Sequence, residues 1–240
     1  MGEEQIQKNI FEGRITSGIN PHTLQLSIIN FIKEQLPIWR NDPERPKKEE
    51  SEIKLNPQLS KFLNIEARKI FPMIQFNHEE PQSGTRSIDI SVSLIESQTY
   101  SKYEPVLVIE CKRLPADSSE REKEYVSGVK PNKKSGGIQR FKLGLHGAKH
   151  NLAAMIGYIQ KSTSDYWLTK VNRWILEFVK NPIGDGCVWC GDEILKDSDP
   201  NQSEDIHSYC SYHTRTSGIS GTVELHHLWI TMNQSEKKPI

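Results

Sequence analysis

The stretch that decides the fold spans residues 105–112 and reads PVLVIECK, an apolar run that leads into two charged residues. Such a run predicts a buried strand. Side chains on a strand alternate between its faces, so Glu110 and Lys112 point one way and Cys111 points the other. We therefore expect the Cys111 thiol to face the core and to be inert. A carboxylate and an ammonium group side by side can hold a divalent cation against a phosphate.

A second strand is predicted upstream, where residues 87–94 read SIDISVSL. Its apolar residues alternate with Ser and Asp, so Asp89 leaves the core side. A polar loop, residues 96–104, has a length that allows an antiparallel hairpin between the two strands. Asp89 and Glu110 then converge at one end of the sheet, in a register that the pattern leaves open. The alternative is an ordinary surface ion pair, which contributes little to stability.

The remaining elements are predicted from periodicity and from prolines. A helix covers His22–Leu36 and ends before Pro37, and a charged connector follows at residues 41–50. A second helix covers about Glu52–Arg68, or begins at Asn56 because Pro57 suits a first turn. A strand over Met73–His78 comes next.

A third helix is predicted from Gly137 onward, because apolar residues recur at helical spacing as far as Met155. Its opposite face carries a polar stripe of Gln139, Lys142, His146 and Lys149. That stripe suits a phosphate backbone, and its alternative is an exposed polar face.

Charge is segregated along a chain that is neutral overall, with 31 basic and 31 acidic residues. Residues 125–164 contain no Asp or Glu, and clustered Lys and Arg are what polyanion binding requires. The alternative is a solvated basic face. The candidate nucleic-acid contacts are Lys130, Lys133, Lys134, Arg140, Lys142 and Lys149.

Asp89 followed by Glu110-Cys111-Lys112 resembles the PD-(D/E)XK nuclease superfamily, although Ile88 replaces the proline of that name. Further landmarks resemble a bacterial branch of it, over roughly residues 39 to 231. They are Trp39-Arg40, Arg45-Pro46, Ser51-Glu52, Leu55-Asn56, Gln58-Leu59, residues 137–141 (GIQRF) and Leu225-His226-His227 with Trp229. The resemblance implies a restriction-endonuclease-like α/β fold, with a mixed central sheet flanked by helices and an N-terminal helical extension.

The chemistry of phosphodiester hydrolysis assigns roles to the three central residues. Mg²⁺, or Mn²⁺ in its place, takes one or two protein carboxylates, for which Asp89 and Glu110 are suited. Lys112 can orient the attacking water and offset charge on the transition state. The resemblance adds the backbone carbonyl of Cys111 as a ligand, and Gln139 and Glu52 beside the metal. For Glu52 the alternative is a helix N-terminal glutamate favoured by the macrodipole.

The function expected from these features is a magnesium-dependent DNA endonuclease. The resemblance implies a place in restriction or anti-phage defence, beside an ATPase or sensor protein, since the chain has no Gly-rich phosphate loop of its own. The alternative is a non-catalytic nucleic-acid-binding or assembly subunit, whose fold a zinc site would stabilise.

That zinc alternative depends on the C-terminal part, where Cys187, Cys190, Cys210 and His213 form a C-x2-C-x19-C-x2-H pattern. The spacing is compatible with structural zinc. We expect reduced thiols instead, because Trp189 fits a core position better than a zinc knuckle.

Domain organisation is predicted as a helical extension over residues 1–48 and a nuclease-like domain over residues 49–240. No apolar run approaches the length of a membrane span, and the start MGEE has no secretory features. A cytoplasmic protein is expected.

Overall fold

One mixed sheet with helices on both faces organises the chain. The computed structural model describes residues 21–46, 50–82, 86–95, 101, 103–128, 133–199, 203, 205–216 and 221–233. Two 3-10 helices, Ser119–Tyr125 and Gly191–Glu193, lie among the main elements. These are α1 (Pro21–Asn41), α2 (Glu52–Ile70), β1 (Ile74–Pro81), β2 (Ser87–Leu94), β3 (Leu107–Leu114), α3 (Gly137–Lys142), β4 (Leu152–Ile159), α4 (Ser164–Lys180), β5 (Lys196–Asp197), β6 (Ile206–Thr214) and β7 (Thr222–Thr231).

In the described part of the chain the strand order is β1-β2-β3-β4-β7-β6-β5. Strands β1, β2 and β3 form an antiparallel meander, β3, β4 and β7 run parallel, and β6 and β5 add antiparallel edges. Parallel neighbours need crossover connections, and α3 and α4 lie on those crossovers. The expected α/β class, with a mixed sheet flanked by helices, is confirmed.

The two faces of the sheet carry separate cores. Helices α1 and α2 cover one face, the α1–α2 face, where Leu36 and Leu59 join a cluster with Ile109 and Ile156. Helices α3 and α4 cover the opposite α3–α4 face. Because strand residues alternate, β3 sends Cys111 to the first face and Glu110 and Lys112 to the second. The predicted burial of Cys111 is confirmed.

Helix α1 continues past Pro37 to Asn41, so the predicted end at Leu36 is wrong. A proline inside a helix removes one hydrogen bond and costs about 3 kcal/mol. Tertiary contacts of the last turn offset that cost. Trp39 packs on Tyr158 with ring centroids 5.9 Å apart. The Arg40 guanidinium donates to Asp205 Oδ1 at 2.8 Å and to the Thr231 carbonyl at 2.9 Å.

Helix α2 and strand β1 follow the predictions closely. The helix begins at Glu52 rather than at Asn56 and includes Pro57. Leu55, Leu59 and Leu63 form its buried side. The predicted strand after it is confirmed and extends to Pro81.

The long helix predicted from Gly137 to about Met155 is wrong. Helix α3 ends at Lys142, and Gly144 and Gly147 adopt φ values of 61° and 56°. This left-handed backbone breaks the helix and suits glycine. The chain then turns into β4, whose residues are buried on both faces. A strand buried on both faces is apolar at nearly every position, so some of its residues also fall at helical spacing.

No helix in the described ranges combines the length and the apolar character that a membrane crossing requires.

Candidate functional site

The antiparallel hairpin of β2 and β3 brings two of the predicted site residues together. Ile90 pairs with Ile109 and Ser91 with Val108, which confirms the predicted hairpin. The same register, continued by one residue, places Asp89 opposite Glu110. The Cys111 backbone N–H donates to Asp89 Oδ2 at 2.7 Å and so fixes this carboxyl group against β3.

Glu110 is fully buried on the α3–α4 face, where positive groups surround its carboxylate. Its Oε1 lies 2.8 Å from both Lys112 Nζ and Arg140 Nη1. Its Oε2 lies 3.1 Å from Nδ1 of His146, which is also fully buried. Burial alone raises the pKa of Glu110, but Lys112, His146 and Arg140 together hold that pKa well below its usual range. Glu110 is therefore ionised at neutral pH.

Asp89 is in the opposite protonation state. Burial and the negative charge of Glu110 raise the pKa of Asp89 to about 8, although Lys112 and the Cys111 N–H act in the other direction. At neutral pH this carboxyl group is mostly protonated, and a cation bound beside it favours ionisation.

Lys112 links this pair to the first turn of α2. Its Nζ lies 3.8 Å from Glu52 Oε2, while Glu52 Oε1 accepts a hydrogen bond from the Arg113 N–H at 2.8 Å. Burial lowers the pKa of Lys112, but Glu110, Glu52 and Asp89 outweigh it and raise that pKa above its usual value. Lys112 is therefore an ammonium group between Glu110 and Glu52. The predicted residues Glu52, Asp89, Glu110 and Lys112 thus lie at one place.

Gln139 does not join them, which corrects its predicted position beside Glu110. The side chain is fully buried, and its Oε1 accepts hydrogen bonds from the N–H groups of Gly128 and Gly136. Its Nε2 donates to the Asp185 carbonyl at 3.0 Å. Gln139 thus caps α3 and ties three backbone segments together.

The basic stretch is mostly paired with acids rather than arranged as a track. Lys142 is fully buried, 2.5 Å from Glu193, so its place in an exposed stripe is wrong, and so is that of buried His146. Lys133 pairs with Glu124 and Lys149 with Glu104. Arg140 borders the site, and its Nε donates to the carbonyl of exposed Lys134. Lys130 lies outside the described residues.

The absence of Asp and Glu from residues 125–164 points to ion pairs with distant segments, rather than to the binding surface that was expected. Cations that are buried in such a run must find carboxylates elsewhere in the chain. Arg140 and Lys142 do so, at Glu110 and Glu193. His146, whose Nδ1 lies 3.1 Å from Glu110 Oε2, also belongs to the surroundings of this carboxylate.

The zinc pattern of the C-terminal part is not assembled. Cys210 and His213 lie on β6 three residues apart, so they face opposite sides of the sheet. Trp189 packs in the core as expected, 7% exposed, with its Nε1 donating to Asp185. Cys210 instead lies beside Glu224 and His226.

A directed chain of hydrogen bonds runs under the α3–α4 face, and sequence patterns gave no sign of it. The Trp229 indole donates to the Tyr125 hydroxyl at 2.7 Å. The Tyr125 hydroxyl lies 2.8 Å from His227 Nδ1. Ser211 Oγ lies 2.7 Å from Nε2 of both His227 and His213.

The direction of this chain follows from its Trp229 end. Indole nitrogen can only donate, and each buried hydroxyl has one proton, which it gives to its remaining partner. Each intermediate group therefore donates toward His213, whose Nδ1 lies 3.5 Å from Glu193 without a hydrogen bond. This assigns the Nε2–H tautomer to His227 and the Nδ1–H tautomer to His213. Burial lowers the pKa of both histidines, so both rings are neutral.

A cavity of about 700 Å³ lies away from these residues, at the start of β3 and β4. Val106, Leu152 and Lys149 are among its lining residues. The candidate site opens to solvent through partly exposed side chains instead, with Glu52 at 29% and Arg140 at 24%. An open site of this kind suits a polymer better than an enclosed small molecule.

No protein-family model, curated protein or solved structure matches the chain. Its function is therefore argued from these side chains.

Proposed function

We propose that the chain is a metal-dependent nuclease that hydrolyses phosphodiester bonds, with DNA as its substrate. The observation that carries this proposal is the convergence of Asp89, Glu110, Lys112 and Glu52 at the β2–β3 hairpin. Acidic groups from neighbouring strands beside a charged lysine match the needs of phosphodiester hydrolysis. The superfamily resemblance of Asp89 and Glu110-Cys111-Lys112 supports the same assignment, including the restriction-endonuclease-like fold.

Asp89 and Glu110 fit Mg²⁺, or Mn²⁺ in its place, because such hard cations take one or two protein carboxylates and keep water in other positions. The raised pKa of Asp89 supports this fit, since burial and the charge of Glu110 outweigh the compensation that Lys112 provides. The Cys111 carbonyl is proposed as an additional ligand. A bound Mg²⁺ supplies polarisation of the scissile phosphate and a lower pKa for a coordinated water.

The chain's own residues then bind and orient the reacting groups. Lys112 holds a positive charge 2.8 Å from Glu110, so it can position the attacking water and offset charge on the phosphate. Arg140 lies on the same carboxylate and can contact a phosphate on the solvent side. Glu52 positions Lys112. Restriction or anti-phage defence, with an ATPase or sensor partner, is the biological setting we propose.

Incubation with supercoiled plasmid, linear duplex and single-stranded RNA tests the activity, with Mg²⁺, with Mn²⁺ and with chelator. We expect metal-dependent nicking or linearisation of the plasmid. Asp89→Asn and Lys112→Ala should each reduce the rate at least about 100-fold while leaving DNA binding intact. The matched control is Lys69→Ala, because Lys69 is an exposed lysine that pairs with Glu66 in the last turn of α2.

The second candidate is a non-catalytic nucleic-acid-binding or assembly subunit. One observation favours it: Glu110 Oε1 already lies 2.8 Å from both Lys112 Nζ and Arg140 Nη1, so a cation must compete with these groups for that oxygen. In that case no substrate is cut with either metal, and Asp89→Asn leaves binding unchanged. Metal-dependent cleavage that Asp89→Asn abolishes would exclude this candidate.

A further inference from the structure

A second group of possible metal ligands lies on the α1–α2 face, at the edge formed by β6 and β7. Cys210 and His226 are direct partners in the register of these strands, and Tyr212 and Glu224 form the next pair. Since alternate residues share a face, Cys210, Glu224 and His226 project toward the same side. His22, in the first turn of α1, contacts Glu224 from above.

The ligand atoms of these residues are close together. Glu224 Oε1 lies 2.7 Å from His226 Nε2 and 3.7 Å from Cys210 Sγ. Glu224 Oε2 lies 3.4 Å from His22 Nε2. Among the described residues, Cys210, Glu224 and His226 form the one set of three Cys, His or acidic ligand atoms within 4.8 Å of one another.

We propose that Cys210, Glu224, His226 and His22 form a binding site for Zn²⁺. A thiolate, two imidazoles and a carboxylate are the ligand types that zinc takes in tetrahedral sites. Bonds of about 2.0–2.3 Å in a tetrahedron separate ligand atoms by roughly 3.3–3.7 Å. The 3.7 Å separation of Glu224 Oε1 from Cys210 Sγ already matches this range, and His226 needs a shift of about 0.6 Å. His22 contacts the other oxygen of Glu224 and lies outside the close set of three, so its side chain must move inward to complete the tetrahedron.

The chemistry of this site differs from that of the β2–β3 hairpin. Sulfur and nitrogen ligands favour zinc over Mg²⁺, which requires oxygen. The site is also reachable, since the side chains of Glu224 and His226 are 19% and 15% exposed. It does not depend on the proposed nuclease activity.

The consequence of zinc binding is a cross-link between the N-terminal helix and the sheet. His22 belongs to α1, whereas the other three ligands belong to β6 and β7, about 190–200 residues away along the chain. Zinc that binds the folded chain and not the unfolded chain raises the free energy of unfolding. It thus fixes α1 on the α1–α2 face.

Metal analysis of the full chain, purified without chelator, tests the site. We expect about one zinc per chain, and loss of that zinc in Cys210→Ser and in His226→Ala. Cys187→Ser and Cys190→Ser are the matched controls and should keep it. Cobalt in place of zinc should give a thiolate-to-metal charge-transfer band in the wild type and in the two controls, and none in Cys210→Ser.

Thermal unfolding separates metal loss from misfolding. Zinc should raise the Tm of the wild type and leave that of Cys210→Ser unchanged, while the two proteins unfold at similar temperatures in chelator. His22→Ala should weaken zinc binding without abolishing it. Wild-type chain that binds no zinc at micromolar metal would overturn the proposal. Loss of zinc in Cys187→Ser or Cys190→Ser would also overturn it, since the C-x2-C-x19-C-x2-H residues would then be the ligands.

Discussion

Asp89 and Glu110 are neighbours on adjacent strands, yet they differ in protonation state. Lys112 and Arg140 contact Glu110 directly, so its negative charge is compensated inside the protein. Asp89 accepts a backbone hydrogen bond but has no such cation at contact distance among the pairs described. Glu110 is thus an anion already, and Asp89 becomes an anion when a cation binds. This difference makes Asp89 the residue that reports on metal binding.

The raised pKa of Asp89 predicts a pH dependence of stability. The folded chain holds this proton between pH 3.8 and about 8, whereas the unfolded chain releases it near pH 3.8. Asp89 therefore contributes stability at low pH that is lost as pH rises toward 8. Asp89→Asn mimics the protonated form, so it should exceed the wild type in stability by about 1–3 kcal/mol at pH 8 and by little at pH 4.

Urea unfolding of both proteins at pH 4, 6 and 8 measures this difference. Mg²⁺ should stabilise the wild type at pH 8 and leave Asp89→Asn unchanged. A difference in free energy that stays constant across the three pH values would contradict the assigned protonation state of Asp89.

Removal of the Lys112 ammonium leaves Glu110 buried with fewer compensating charges. Loss of one partner of a buried pair can cost 3–5 kcal/mol, but Arg140 and His146 remain beside Glu110, so we expect Lys112→Ala to cost about 2–3 kcal/mol. Lys149→Ala removes an exposed pair and should cost under about 1 kcal/mol. Chemical denaturation of the two variants provides the comparison, and equal losses would show that Glu110 does not need Lys112.

At the scale of elements, β4 is the central strand of the sheet, because it lies between β3 and β7. Gly157 on this strand pairs with Lys112 on one side and Trp229 on the other. A Cβ at Gly157 would lie 2.4 Å from Trp229 Cδ1, so the indole occupies the space of the missing side chain. The glycine is thus what allows Trp229 to lie across β4.

Gly157→Ala should therefore destabilise the chain by about 1–3 kcal/mol, because the fully buried indole cannot move without repacking the core. The matched control is Gly191→Ala, where an added Cβ meets Leu176 at an ordinary 3.9 Å. Thermal unfolding should separate the two variants clearly. Equal melting temperatures would mean that Trp229 has room to shift.

The sequence predicted elements whose pattern is local and missed contacts that join distant segments. Strict alternation in residues 87–94 was enough to predict β2 and the hairpin with β3. The burial of Gln139 and Lys142 had no local signal, since their partners Asp185 and Glu193 lie about 50 residues downstream. The site was predictable for Asp89, Glu110 and Lys112 from strand alternation together with the superfamily resemblance, and for Glu52 from the resemblance alone.

At the scale of the whole molecule, the hydrogen-bond chain from Trp229 to His213, together with the adjacent Glu193, joins two strands and both 3-10 helices. Glu193 in turn pairs with Lys142 of α3, at 2.5 Å. Polar contacts, as well as apolar packing, thus hold the α3–α4 face together. A buried polar network of this kind favours one arrangement of these elements over others.

Ser211→Ala removes the middle of this chain and leaves a donor on His227 and an acceptor on His213 without partners. An unsatisfied buried group costs about 1–3 kcal/mol, so we expect a loss of about 2–4 kcal/mol for the two. Long-range proton–nitrogen NMR correlations of the wild type should show His227 protonated at Nε2 and His213 at Nδ1. The opposite tautomers would reverse the direction of the chain.

The fixed direction of this chain limits how the protein can change by mutation. Tyr125, His227 and Ser211 each have a hydrogen-bond partner on both sides, so a single substitution among them leaves an orphan on either side. Replacement of both partners of a bond by apolar groups of the same shape can be nearly neutral. We therefore expect strong epistasis among Tyr125, Ser211, His213 and His227. Random mutagenesis should find their replacements in pairs or larger groups, and designers who alter one should redesign its neighbours at the same time.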